Sequence, residues 1–105
     1  MSHEDLRYYY KVVKTIKGKC GCKYPINIRR MKLSSTLCGD CSFDKDNKKF
    51  HIRINKNQSI AASIDTIFHE ISHCLSWDKD KDDHGEQWGI AYSKIYRIYE
   101  KYIHN

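Results

Sequence analysis

The 105-residue sequence predicts an α+β domain: an N-terminal helix, a small three-stranded, mainly antiparallel sheet, and two C-terminal helices. Three observations predict it. Apolar residues recur at helical spacing at both ends of the chain, they alternate every second residue in the middle, and no repeat, linker or low-complexity run divides the two regimes. Residues 1–105 are therefore read as one domain.

The first helix is expected over 3–17. Ser2 can cap it, with Asp5 answering from the first turn. Leu6, Tyr9, Tyr10, Val13 and Ile16 form its apolar stripe, and Gly18 is the expected terminator. The Tyr8-Tyr9-Tyr10 run reads as part core and part surface, with base stacking as the competing use. Residues 24–33, with Ile26 and Ile28 on one face and Pro25 near the start, read as an edge-tolerant strand. Residues 36–43 are a weaker strand candidate. The polar turn Asp44-Lys45-Asp46-Asn47 joins it to 48–55, where Phe50, Ile52 and Ile54 alternate with Lys49, His51 and Arg53. Helices are expected over 59–77, with Ile60, Ile64, Ile67, Phe68, Ile71 and Leu75 inward, and over 85–103, with Trp88, Ala91, Ile95, Ile98 or Tyr99, and Tyr102 inward.

Between those helices lies Asp78-Lys79-Asp80-Lys81-Asp82-Asp83, which has no apolar residue and must be exposed. Its alternating aspartates suggest a calcium loop. The sixth position is Asp83 instead of glycine and the twelfth is Gly89 instead of glutamate, so an EF-hand is rejected.

The segment that carries chemistry is His69-Glu70-Ile71-Ser72-His73. Residues four apart share a helix face, so both imidazoles can reach one cation. Glu70 then sits where a general base for metal-activated water belongs. With six histidines and four glutamates in the chain, a chance match is expected only about 0.01 times. A catalytic zinc wants a third protein ligand and one open position. The metzincin pattern is excluded, because Ser76 and Lys79 stand where it needs glycine and histidine. His84, at the start of the last helix, is the leading third ligand, and Glu86 is the alternative. Tyr92 and His51 are the candidate oxyanion stabilisers.

His69-Glu70-x-x-His73, ten intervening residues, then His84-Gly85-x-x-Trp88 resembles the SprT-like (Spartan-type) metallopeptidase domain. The order of elements is similar too, while the specific part of the resemblance covers about 65–92. It implies a minimal zincin fold, one Zn2+ held by His69, His73 and His84, Glu70 as catalytic base, and hydrolysis of peptide bonds. In several members of that family the substrates are proteins bound to DNA. These 105 residues carry no zinc ribbon or DNA-binding tail of the kind longer members have at the C-terminus.

The five cysteines are an odd number, and the N-terminal Met1-Ser-His-Glu-Asp-Leu6 lacks the layout of a secretory signal. No apolar run approaches the roughly 18 residues of a membrane span. The expectation is a cytoplasmic protein with reduced thiols or thiolate metal ligands. Cys20-Gly-Cys22 and Cys38-Gly-Asp-Cys41 are the candidate ligands of a second, structural zinc, although the first pair is one residue short of the usual spacing. Cys74 is expected in the core.

Charge is unevenly placed: residues 1–58 hold 14 basic and 5 acidic side chains, residues 59–105 hold 5 basic and 8 acidic ones. A balance of +9 beside one of −3 suits a polyanion such as DNA on the first half, or simply a solvated lysine-rich surface. A non-catalytic, zinc-stabilised binding module for nucleic acid or protein is therefore the alternative to a peptidase. Glu70 separates them, since a purely structural site needs no base.

Overall fold

A computed structural model describes residues 1–104. Its first helix, α1 (His3–Lys19), begins as a reciprocal cap: the Ser2 hydroxyl accepts from the Asp5 N–H at 3.1 Å, and the Asp5 carboxylate accepts from the Ser2 N–H at 3.4 Å. Glu4 and Asp5 in the first turn and Lys17 and Lys19 in the last complement the helix dipole. The buried seam is Tyr9, Val12 and Ile16. Tyr10, expected in that seam, is 54% exposed, because a residue next to Tyr9 is turned about 100° around the helix. Tyr8 leans inward and shares a 2.7 Å hydrogen bond with the Tyr99 hydroxyl, so the tyrosine run divides between core and surface.

The helix does not stop at Gly18. It runs to Lys19, with Cys20 as its cap, and the left-handed residue that turns the chain is Gly21, at φ +71°. That position, one past the cap, is where a positive φ is needed and where glycine alone adopts it without strain.

Three strands follow: β1 (Ile26–Met31), β2 (Gly39–Asp44) and β3 (Lys49–Asn55). The sheet order is β1-β3-β2, with β2 antiparallel and β1 parallel to β3, so the sheet is mixed. The β2–β3 hairpin is built on Asp44, whose carboxylate accepts from the N–H groups of Asp46 and Asn47 and from the Asn47 side chain. Those donors hold the Asp44 carboxyl down to about 2. Phe50, Ile52 and Ile54 are at most 2% exposed and face the helices.

The parallel pair is secured by a residue that alternation alone does not single out. Asn55 is 5% exposed. Its amide donates to the carbonyls of Ser34 and Leu37, and its carbonyl accepts from the N–H groups of Leu33 and Asn57. Both ends of the side chain are thus satisfied, as burial requires. The segment between β1 and β2 is held across the end of β3, which carries the chain from one edge of the sheet to the other.

Helices α2 (Ile60–Leu75) and α3 (Glu86–Tyr102) complete the fold, close to the expected bounds. Ser59 caps α2 by accepting from the Ala62 N–H. α2 lies against β2 and β3 on one side and α1 and α3 on the other. Ile67, Phe68 and Ile71 are fully buried, and so are Ser63, Thr66 and Ser72. Thr66 and Ser72 turn their hydroxyls back onto the carbonyls four residues earlier, which lets small polar residues sit in a helix enclosed on nearly every side. No helix among the described residues is long and apolar enough to cross a membrane.

The two glycines after the first helix stripe give a paired test. Gly18→Ala, at a helical position where an added Cβ meets nothing within 4 Å, should stabilise the protein by about 0.5–1 kcal/mol. Gly21→Ala should destabilise it by about 1–2 kcal/mol. Urea unfolding of the two variants beside the wild type reads both.

Candidate metal centre

α2 puts His69 and His73 one turn apart on the face turned toward the acidic loop, and the Nε2 atoms of the two rings are 3.2 Å apart. The loop returns His84 to the same place, its Nε2 3.0 Å from that of His69. The three ring nitrogens lie within 4.8 Å of one another, close enough to hold a metal ion. A tetrahedral zinc with Zn–N bonds of about 2.0–2.1 Å requires neighbouring nitrogens about 3.3 Å apart. The two contacts at His69 therefore match the donor spacing of such a site.

Electrostatics favour the same reading. Burial first, then the neighbouring imidazoles, push His69 and His73 below the ordinary histidine value. The rings are kept neutral, the form in which a lone pair is free for a cation. A cation placed among the three rings could accept a lone pair from each of them. Glu86, the alternative ligand, opens α3 on an exposed position and is not part of the cluster.

The placement of His84 depends on Asp80, a residue whose loop reads in sequence only as solvated. The α3 N-cap is Gly85, which has no side chain to offer. Asp80 supplies the cap from outside: its two carboxylate oxygens accept from the N–H groups of Gln87 at 3.0 Å and Trp88 at 2.9 Å. A Cβ at position 85 would lie 2.7 Å from the Asp80 Cγ, so the glycine after His84 makes room for that carboxylate. The signal was present as an aspartate a short loop ahead of a helix lacking a capping side chain.

Trp88 completes the wall. Its indole N–H donates to the His69 carbonyl at 3.2 Å, and its ring lies 5.2, 5.9 and 4.9 Å from those of His69, His73 and His84. α3 is thereby tied to the turn of α2 that bears the ligands.

No protein-family model, curated protein or solved structure matches the chain. The centre is accordingly read from its own geometry.

Glu70, next to His69, is 6% exposed. Burial, helped by the negative charge of Asp40 on β2, pushes its carboxyl up to about 7. Asp40 itself is held below the usual carboxylate range by its two-point pairing with Arg53. Of the two oxyanion candidates, Tyr92 packs at a tilt beside Trp88 and donates a hydrogen bond from its hydroxyl to Asp65, one turn ahead of His69. His51 lies on β3 between the buried Phe50 and Ile52, so its ring takes the other face of the sheet, near Asn27 and Asp44. It is not part of the centre.

The four-cysteine site does not form. Among the described residues only the three histidines gather as a potential ligand group of three or more. Cys20 is buried at the end of α1, and Cys38 is exposed ahead of β2. Cys41, opposite Ile52 in the β2–β3 register, turns toward α2, where its sulfur lies 3.3 Å from that of Cys74. The strand begins between Cys38 and Cys41, and that sends the two side chains apart. Cys74 is 4% exposed, in the core as expected.

Asp80→Ala should loosen the His84 arm without touching a ligand. The expected losses are about 1 kcal/mol of stability and about 10- to 100-fold in zinc affinity. Urea unfolding measures the first, and competition with a chromophoric chelator measures the second.

Proposed function

We propose that this chain is a zinc-dependent metallopeptidase of the SprT-like type, with His69, His73 and His84 holding the metal and Glu70 acting as base. The observation that carries the reading is the convergence of three imidazole nitrogens within 4.8 Å of one another, the two contacts at His69 at the donor spacing of a tetrahedral site, with a buried carboxylate on the residue next to His69. Zinc bound there would supply a Lewis acid for the scissile carbonyl and acidify water at neutral pH.

The residues of the chain have separate tasks. Glu70 accepts a proton from the attacking water and passes it to the departing amine, so one water is consumed and an acid and an amine are released. Its enclosure by β2 and the core keeps bulk water from competing for that proton. Trp88 holds the ligand turn of α2 against α3. β2 pairs with β3 along one side only and forms an edge of the sheet beside α2. An extended peptide adding to that edge by main-chain hydrogen bonds would pass beside the centre. Such recognition reads backbone more than side chains, which suits unfolded or flexible protein segments as substrates.

A cavity of about 670 Å³ supports nucleic acid as a partner. Lys23, Lys45, Lys79 and Lys94 line it together with Tyr24, Phe43 and Trp77, against one carboxylate, Asp78. Ammonium groups beside aromatic rings suit a single strand, phosphate against charge and base against ring.

Glu70→Gln should keep one equivalent of zinc while hydrolysis of an unfolded protein substrate falls at least about 100-fold. Cleavage at the wild-type rate in that variant would overturn the assignment of the base. Single-stranded DNA affinity, measured by anisotropy, should fall roughly 50-fold between about 50 and 200 mM salt if four phosphates are contacted. Absence of binding at low salt would remove the nucleic-acid partner.

A further inference from the structure

The metal centre leaves one reactive cluster unused. Cys41 on β2 and Cys74 on α2 are 33 residues apart in sequence, yet their sulfurs are 3.3 Å apart. That is only about 1.3 Å longer than a disulfide bond. Neither thiol belongs to a metal-ligand group, and both are free. Cys41 is half-buried, while Cys74 is 4% exposed and lines the 670 Å³ cavity together with Cys22. A small oxidant can therefore reach the pair at the half-buried Cys41, while the cavity opens onto Cys74.

We propose that Cys41 and Cys74 are a peroxide-responsive dithiol, converted by a hydroperoxide into a disulfide that ties the edge strand β2 to the metal-bearing helix one residue beyond His73. The more accessible Cys41 reacts first. Its thiolate attacks the peroxide, the O–O bond breaks, and Cys41 becomes a sulfenic acid while the other oxygen leaves as water or alcohol. The Cys74 sulfur then attacks that of Cys41. The S–S bond forms, the S–O bond breaks, and the hydroxyl departs with the Cys74 proton as a second water. Two thiols are oxidised by two electrons and one peroxide is reduced. A dithiol reductant reverses the change.

The pairing is specific because position sets it. Cys41 faces α2 through its register with Ile52, Cys38 lies outside the strand, and Cys20 is capped at the end of α1 with its thiol directed at the Lys17 carbonyl. The bond would join two elements that both approach Glu70, so it would fix the edge of the sheet relative to the ligand helix. It does not depend on the peptidase reading, since it needs no metal and no substrate.

The test uses the reduced 105-residue chain, treated with hydrogen peroxide, quenched by alkylation, and analysed by intact and peptide mass spectrometry. The expected product has lost two of its five alkylatable thiols, is lighter by about 2 Da before alkylation, and yields a Cys41–Cys74 linked peptide that dithiothreitol removes. Cys41→Ser, at the half-buried partner, should abolish the link, while Cys22→Ser and Cys38→Ser should leave its rate unchanged within about twofold. Full alkylation of all five thiols after peroxide would overturn the proposal. So would a Cys22–Cys74 link as the main product, or conversion of Cys41 to sulfinic acid without any bridge.

Discussion

Three imidazole nitrogens gathered within 4.8 Å of one another, with that of His69 3.2 Å from His73 and 3.0 Å from His84, are the constraint on which the rest of the molecule depends. Lone pairs aimed at a common point repel, and the protein can hold them there only by fixing each ring from behind. α2 does this for two rings by embedding its ligand turn in the core through Ile67, Phe68 and Ile71. For the third, Asp80 and Trp88 anchor the start of α3 from two directions. A cation bound there would couple metal binding to folding, relieving the crowding that the fold imposes and adding its binding free energy to the modest stability of a chain this small.

The chemistry of the centre and the architecture of the core share residues to an unusual degree. Glu70 is enclosed by the same packing that aims its histidine neighbours, and its carboxyl responds to Asp40 across the gap to β2. Asp40 is in turn governed by Arg53 on β3. The charge of Asp40 on the sheet edge thus acts on the Glu70 carboxyl, and Arg53 acts on Asp40 in turn. A carboxyl so placed is shielded from solvent but not from the sheet.

Much of this could be read before any coordinates. The helical spacing of Ile67, Phe68 and Ile71 located α2, and the alternation of Phe50, Ile52 and Ile54 located β3, because apolar periodicity reports burial directly. The His69–His73 spacing put two imidazoles on one face for the same reason, being a statement about one helix. His84 depended on how the loop returns, and the structure brings its ring to the other two. What stayed hidden was set by tertiary contact. Asn55 looks like any polar strand end until its partners across the crossover are seen. Gly18 and Gly21 differ only in which of them takes the positive φ. Cys41 and Cys38 share a short motif, yet the strand that starts between them points them to different neighbours. Asp80 was one of five aspartates in 78–83 and 65 that spacing could not tell apart.

The mixed sheet has a consequence for how the chain acquires its shape. β2 and β3 are close in sequence and can zip together around the Asp44 turn, but β1 must find the far side of β3 across the whole intervening segment. Non-local parallel pairing of this kind is the slower event, since chain entropy is lost before contacts compensate it. Until β1 docks, one flank of the central strand has no backbone partner, the kind of open edge at which chains associate with one another. In the folded chain the Asn55 amide, bonded to the carbonyls of Ser34 and Leu37, ties the crossover segment over the end of that strand.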